Sequence, residues 1–391
     1  MQKIRRLAIV ATHPIQYYAP IFKLLSESDQ INLKVFYTWG ESSIKKYDFG
    51  FGKIIEWDIP LFDGYGYEFL PNITKNQGTH HFNGITNPDS IQQIDIFQPD
   101  VILIYGWGWH SHLKIIRHYE GKVPLWFRGD STLLDQKPGF KNLLRNIFLK
   151  WVYKHIDKAF YVGKSNKAYF LKYGLKEHQL IFAHHAIDNL RFETNRSDEA
   201  TVIRQTMRLA GSDILVLFAG KLDIKKDPFL LLNAFSRIKK LGVHLLFVGN
   251  GILEDNLKAT VKNNNISNVF FIDFQNQKVL PTYYQACDLF CLPSKGPGET
   301  WGLAINEAMA CGKAVLVSDK VGCALDLVED GVNGMIFKSN SIEDLQEKLT
   351  YLLGKGKDGL KSMGQASLKI IKPWTFANQV KAIEKEISKL K

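Results

Sequence analysis

Apolar residues in this chain gather into short, nearly uninterrupted runs. In the first half these are RLAIVATH, NLKVFYTW, DVILIYG, VPLWFRGD, KAFYVG and LIFAHHA; in the second, ILVLFAG, VHLLFVG, NVFFIDF, LFCLPS, AVLVSD and GMIF. A strand covered by helices on both faces has no solvent-facing side, so runs of this kind predict parallel strands, not the alternation of a half-exposed sheet. Stretches such as YYAPIFKLLSES and SIQQIDIFQ lie between them and bring apolar residues back at helical spacing. The alternation predicts an α/β chain of doubly wound domains. A polar, charged tract from Arg191 to Ser212 separates the two sets of runs. We therefore expect one domain over residues 1–195 and a second over 196–372. The last segment, 373–391, reads as an amphipathic helix behind the Pro373-Trp374 break, expected to fold back on the first domain. Two helix starts are marked in the sequence: Asp227 as cap with Pro228 in the first turn and Gly242 beyond the end, and Ser341 with Asp344 as a capping box. Between Trp39 and Asn72 an aromatic, glycine-rich interruption is too long for a plain connector, and reads as a functional lobe or an added hairpin.

A length of 391 residues fits two domains with a core each, and 45% hydrophobic with 23% charged residues is ordinary for a soluble globular chain. LAIVA, after Arg5-Arg6, is far shorter than a membrane span or a secretory h-region, and no run approaches ~18 apolar residues, so the expected location is cytoplasmic. The four cysteines form no CxxC pair and sit on apolar segments, as small buried hydrophobes in a reducing compartment do. No carboxylate cluster calls for a metal. The net charge of +11 is localised: from Lys137 to Lys176, ten basic residues face the single acid Asp157. That concentration, without any zinc-finger, helix-turn-helix or RNP-like pattern, argues against nucleic acid as the partner. Within it, Phe140, Leu143, Leu144, Ile147, Phe148 and Trp151 recur at helical spacing, with Lys141, Arg145 and Lys150 off the stripe. Such a helix either lies on an anionic membrane surface, at the inner face of the plasma membrane, or turns its stripe to the core with the lysines as a solvated rim.

Two loops carry candidate chemistry. GKLDIKKDP follows the run ILVLFA, and the carboxyl end of a parallel strand is where α/β proteins bind ligands. There Lys221 and Lys226, five residues apart, could grip a diphosphate from two sides, with plain surface charge as the competing reading and Lys225 as their solvated neighbour. GPGETWGLAINEAMACGKAVLVSD reads as a loop, a helix ended by Gly312, and a strand. The amide groups of Thr300, Trp301, Gly302 and Leu303 at its start would face phosphate or hydroxyl oxygens. Glu299 and Glu307 follow in a spacing that a continuous helix would turn about 80° apart, as two separate acceptors.

GPGETWGLAINEAMACGKAVLVSD resembles the E-x7-E signature of family 4 retaining glycosyltransferases, and GKLDIKKDP is similar to its companion phosphate loop. FVGNG at Phe247, YQACDLFCLPS at Tyr284 and HHAIDNLRF add to the likeness. ATHPIQYYAP, the aromatic interruption and RGDS at Arg128 resemble a subgroup involved in bacterial surface polysaccharides. The resemblance implies a GT-B fold, two Rossmann-like domains facing across a cleft. It also implies retention of anomeric configuration without a metal, from a nucleotide-sugar donor (UDP- or GDP-sugar) to a glycan or lipid-linked acceptor, with no cofactor required. By position, Lys221 and Lys226 would bind the donor diphosphate, Glu307 the ribose and Glu299 the transferred sugar. Gly249 in FVGNG would line the donor site; Gln275 and Asn276 are candidates for base contacts. Glu299 could be a covalent nucleophile or orient a sugar hydroxyl while the acceptor attacks on the leaving group's own face; the resemblance implies the second.

Acceptor chemistry is less defined. His13, at the end of the first strand, and His110 in GWGWHSHL are candidate acceptor contacts. Asp130 in FRGDS is a candidate general base or acceptor-hydroxyl ligand, with a helix cap before Ser131-Thr132 as the competing reading. His112, His184 and His185 are possible cleft residues, most of them expected to be structural. Other functions stay open: a nucleotide-sugar epimerase, a phosphorylase, or a silent nucleotide-sugar-binding subunit.

Overall fold

The computed structural model describes residues 3–48, 50–136 and 139–390. The chain divides into two compact units: Met1–Lys46, Ile59–His185 and Phe376–Lys391 form the first, and Tyr47–Asp58 with Ala186–Thr375 the second. In chain order the first unit begins with β1 (Arg5–Ala11) and β2 (Ile31–Tyr37). A two-stranded excursion follows, β3 (Lys46–Asp48) and β4 (Lys53–Ile55), before β5 (Gly66–Phe69), β6 (Val101–Tyr105), β7 (Leu125–Arg128), β8 (Lys158–Tyr161) and β9 (Leu180–Phe182). The main sheet runs β5-β2-β1-β6-β7-β8-β9 with every pair parallel. β1 shows why its run is apolar throughout. Leu7, Ile9 and Ala11 enter one core with Phe22, Val35 and Leu103, while Ala8 and Val10 enter the opposite core with Phe36, Ile94 and Ile115. Successive side chains of a strand point to opposite faces, so a sheet with two covered faces needs apolar residues at every position.

The second unit contains β10 (Ile214–Ala219), β11 (Val243–Val248), β12 (Val269–Ile272), β13 (Leu289–Leu292), β14 (Ala314–Ser318) and β15 (Gly334–Phe337), all paired in parallel in the order β12-β11-β10-β13-β14-β15. Strand order therefore reverses direction between β10 and β13, and in the first unit between β1 and β6. A crevice opens beyond the strand ends at such a reversal, which places the loops after β10 and β13, and after β1 and β6, as each unit's ligand-binding edge.

Several sequence expectations change in detail. The break between units falls at His185, ten residues before the expected boundary. The reason is packing of the segment after it: Phe192 meets the ring of Tyr284 at 5.9 Å, and Gln285 Nε2 donates to Phe192 O at 3.0 Å. The interruption is neither one lobe nor one hairpin, because GYEF within it is the edge strand β5, and only Tyr47–Asp58 leaves to join the second unit. Asp227 stands before the helix Pro228–Ser236 without a side-chain bond to its amide groups; its carboxylate instead meets Lys295 Nζ at 3.2 Å. Ser341 does cap its helix, accepting from the Asp344 amide at 3.2 Å. The helix Phe376–Ile387 adds Val380, Ile383 and Ile387 to the first unit's core, and its buried Glu386 is paired with Lys158. Among the described residues, no helix is long and apolar enough to cross a membrane.

Candidate functional site

The loop after β10 is held by its own backbone and by the loop after β11. Asp223 Oδ1 accepts from the Lys226 amide at 2.9 Å, tightening the turn, and Leu222 N donates to Asn250 O at 2.9 Å. Gly249, expected in the donor site, lies with its backbone against Gly220, so close that a β-carbon there would stand 2.1 Å from Gly220 O. That close approach fixes the backbone of the loop after β10.

The loop after β13 meets this one directly. Lys226 Nζ lies 2.6 Å from Glu299 Oε2, and Ser294 Oγ donates to the same oxygen at 2.9 Å. Lys225, expected to be merely solvated, has its Nζ 3.3 Å from Gly298 O, and its carbonyl accepts from Lys295 N at 2.9 Å. Glu299 is only 6% exposed. Burial opposes its ionisation, but the charges of Lys226 and Lys225 and the hydrogen bonds from Lys226 and Ser294 outweigh that, holding its carboxyl below the ordinary glutamate value. The pair therefore presents a fixed carboxylate and a fixed ammonium at the strand-order reversal. Ser294 had no signal beyond its place at a strand end; Ser318 in turn holds the Ser294 carbonyl.

The helix that follows begins at Leu303, not Thr300, with Gly302 in front of it at φ 93°. Thr300 and Trp301 belong to the loop: Trp301 is buried, its Nε1 donates to Asn306 Oδ1 at 2.9 Å, and its ring lies 5.4 Å from that of Trp374. Leu303 and Ala304, both partly exposed, supply the amide groups of the helix tip. Because Glu299 precedes the helix, the 80° separation on a helical wheel does not describe its relation to Glu307. Glu307 is 3% exposed and accepts from Tyr284 Oη at 2.8 Å. Tyr284 opens the YQACDLFCLPS motif, but nothing local in that motif shows that its hydroxyl meets Glu307.

Lys221 is engaged by the excursion, with Asp48 Oδ1 at 2.8 Å and Oδ2 at 3.0 Å from its ammonium. Asn276 Nδ2 donates to Glu56 O at 2.7 Å, and Gln275 Nε2 to Asp273 O at 3.0 Å. Among the described residues, no group of three or more His, Cys, Asp or Glu is placed to hold a metal ion.

In the first unit the expected residues lie at the carboxyl edge of the sheet. His13, after β1, shares a hydrogen bond with Thr12 Oγ1 at 2.9 Å and meets the ring of Trp39 edge-on at 5.2 Å. His110 is exposed at the start of the helix His110–Tyr119. Asp130 caps no helix: none starts at Ser131-Thr132, and its Oδ2 stands 3.8 Å from His185 Nε2. His185 is buried, and burial, with Arg128 nearby, lowers its pKa despite Asp130. His112 is fully buried between Thr38 Oγ1 and Gly106 O, each at 2.8 Å, and burial pushes it down to about 4, a neutral structural imidazole.

Residues 200–369 match the family described as Glycosyl transferases group 1. An N,N'-diacetylbacillosaminyl-diphospho-undecaprenol alpha-1,3-N-acetylgalactosaminyltransferase of Campylobacter jejuni is 28% identical over 240 residues, 57% of this chain and 58% of that one. A D-inositol 3-phosphate glycosyltransferase of Segniliparus rotundus is 32% identical over 180 residues, 44% of this chain and 39% of that one. The aligned part thus spans well under two thirds of these relatives. Among solved structures, Anabaena Alr3699/HepE in complex with UDP superposes with a TM-score of 0.73 at 17% identity, covering 98% of this chain and all of that one. WaaG, a glycosyltransferase involved in lipopolysaccharide biosynthesis, gives 0.69 at 14% identity over 98% of this chain and 100% of its own. The architecture of two Rossmann-like domains in one chain is the GT-B fold. Residues 200–369, the stretch similar to the group 1 glycosyl transferases, hold Lys221, Lys226, Glu299 and Glu307.

Proposed function

We propose that the chain is a retaining glycosyltransferase, moving a sugar from a UDP- or GDP-sugar to a glycan or lipid-linked acceptor in surface-polysaccharide assembly. The observation that carries this reading is the Lys226–Glu299 pair at the reversal of strand order, with Lys221 on the same loop. Breaking the anomeric bond sends its electron pair to a phosphate oxygen, and preorganised cations act where that charge grows. Lys221 and Lys226 bind the diphosphate, the amides of Leu303 and Ala304 add their dipoles, and Glu307, set by Tyr284, takes the ribose hydroxyls. Glu299 orients the sugar. The acceptor oxygen bonds to the anomeric carbon on the face the diphosphate leaves, and its proton passes to the departing phosphate oxygen. The positive charge comes from side chains, without a metal. Names of the relatives support the acceptor class: the Campylobacter relative is named for a diphospho-undecaprenol substrate.

The test is a thermal-shift panel of UDP, GDP and ADP and their sugars, with and without EDTA, followed by a transfer assay on the best donor. A ligand that binds only the folded chain at 100 times its Kd stabilises by about 2.7 kcal/mol. We expect one nucleotide series to raise Tm equally with and without EDTA, and sugar to appear on an acceptor. Epimerised donor, phosphorolysis, or binding without turnover would each replace the reading with the corresponding alternative.

The acceptor proposal includes a membrane surface. On the helix Phe140–Tyr153, Leu149 and Val152 are buried, while Leu143, Leu144, Ile147 and Phe148 are exposed, Ile147 by 62%. That contradicts a stripe turned to the core. Arg145 and Lys150 are exposed beside it; the side chains of Phe140 and Lys141 and the whole of Lys137 lie outside the described residues. Each basic residue near an anionic leaflet contributes about 1 kcal/mol. Sedimentation with vesicles should show binding to anionic but not neutral lipid, weakened by salt and by Ile147→Asp. Equal binding to both vesicle types at low salt removes this part of the reading.

A further inference from the structure

The excursion Tyr47–Asp58 interrupts the first sheet in sequence yet belongs to the second unit, where it lies across residues of the proposed donor site. Its Asp48 carboxylate meets Lys221 through both oxygens, at 2.8 and 3.0 Å. The carboxylate is itself fixed by the turn after it, Oδ1 accepting from the amides of Gly50 at 2.8 Å and Phe51 at 3.2 Å. Lys221 lies over the Phe51 ring at 5.0 Å, and a β-carbon on Gly50 would fall 2.5 Å from its Cδ, so the turn is shaped around this side chain. Phe51 continues onto Phe274 at 4.7 Å, Trp57 reaches the same ring at 6.2 Å, and Lys53 Nζ stands over it at 5.3 Å. Beyond them, Glu56 O and the Asp58 carboxylate accept from Asn276 Nδ2 and from Lys278 N, the latter at 3.1 Å. The strap therefore follows the segment Phe274–Lys278 and ends with a carboxylate on the phosphate-loop lysine.

We propose that Asp48 is a displaceable stand-in for a donor phosphate, held on Lys221 until the diphosphate takes its place. The proposal rests on the reading of Lys221 as a diphosphate ligand. A second anion on the same ammonium is repelled by the first, so a donor phosphate at Lys221 disfavours the Asp48 contact, and the partly exposed Asp48 can move away where the buried Glu299 beside Lys226 cannot. A carboxylate fixed by two amides and an aromatic face keeps the site from offering a bare cation to every anion. It also lowers the apparent donor affinity by the fraction of chains in which it is engaged. The pair is partly exposed, 33% and 22% for the two side chains, which keeps the exchange inexpensive.

The experiment is calorimetric titration of the full chain with UDP and GDP, for wild type, Asp48→Asn, Lys221→Ala and the double variant. With the nucleotide that wild type binds, Asp48→Asn should tighten binding by roughly two- to fivefold. In the Lys221→Ala background the same change should have no effect, since the coupling runs through that lysine. Unchanged or weaker binding by Asp48→Asn, with native circular dichroism, overturns the exchange and makes Asp48 a positioning partner of Lys221. Asp48→Ser, which also removes the charge, serves should Asn disturb the turn. Absence of nucleotide binding in wild type and variants alike overturns the donor reading and the exchange with it, whereas a tight wild type matched by Asp48→Asn overturns the exchange alone.

Discussion

Lys226→Ala is expected to lower sugar transfer by about 10²–10³. A unit charge 4 Å from a growing negative charge contributes roughly 4 kcal/mol at an effective dielectric near 20, and ~1.4 kcal/mol is tenfold in rate. Here the lysine is preorganised: Glu299 at 2.6 Å and the turn bond from its own amide to Asp223 hold its place before a donor arrives. Steady-state kinetics on the best donor reads the effect, and a folded variant with unchanged turnover rejects the role.

The same substitution removes the nearest charge partner of a buried carboxylate. Leaving a buried ion unpaired costs about 3–5 kcal/mol when nothing else compensates. Glu299 keeps the Ser294 hydroxyl and the charge of Lys225, so the loss should be smaller, about 1–3 kcal/mol. Adding Glu299→Gln should recover most of that stability and none of the turnover, which separates the electrostatic role in transfer from the structural pair. The pH dependence agrees in sign. In wild type, burial raises the Glu299 pKa but Lys226 and the other partners bring it below its ordinary 4.5. A carboxyl lowered on folding contributes stability above its unfolded value and loses it as pH falls through the folded one. Lys226→Ala should therefore show a shallower loss of Tm below pH about 4.5 than wild type.

What the sequence disclosed depended on how local each signal was. Strand runs such as LAIVA and ILVLFA were readable because both faces of each sheet are covered, and that leaves an uninterrupted apolar string. Lys226 and Glu299 each stood out as residues of loops at strand ends, but their pairing did not, because it depends on β10 and β13 lying side by side in the sheet. By contrast, Asp48 reaches Lys221 across 173 positions, and nothing local in KKYDFGFGK says which lysine its carboxylate will meet. The helix start moved from Thr300 to Leu303 because Trp301 turns inward to Asn306 and Trp374, a tertiary choice that helix propensity does not see. The helix Gly356–Ile371 escaped notice because its glycines mimic breakers, although Leu360, Met363, Ser367 and Ile371 follow helical spacing. The amphipathic pattern of Phe140–Tyr153 gave the helix but not its orientation: two apolar stripes are present, and Leu149, Val152 and Tyr153 won the core.

Gly249→Ala is the second large effect we expect. The sequence points to Gly249 as a donor-site contact, the structure shows a close backbone approach to Gly220, and the two roles predict different losses. The new methyl would stand 2.1 Å from Gly220 O and 3.0 Å from its carbonyl carbon, at a φ of 132° that side chains rarely adopt. Neither neighbour is the far end of a flexible side chain. The loop after β10 must move, or Gly249 must abandon its amide bond to Ile272 O at 2.9 Å. Overpacking and backbone strain each cost about 1–3 kcal/mol, so a loss of roughly 2–5 kcal/mol is expected, on the order of 5–15 °C in Tm for a unit of this size. Displacing Gly220 also displaces Lys221 and Lys226, so nucleotide affinity should fall together with stability. A contact residue at the ligand would show the opposite pattern, with Tm held and affinity alone lost. Differential scanning calorimetry and nucleotide titration on the same preparation distinguish them, and an alanine variant with native Tm would return Gly249 to the donor-contact role and leave the proximity of the two loops without its proposed structural purpose.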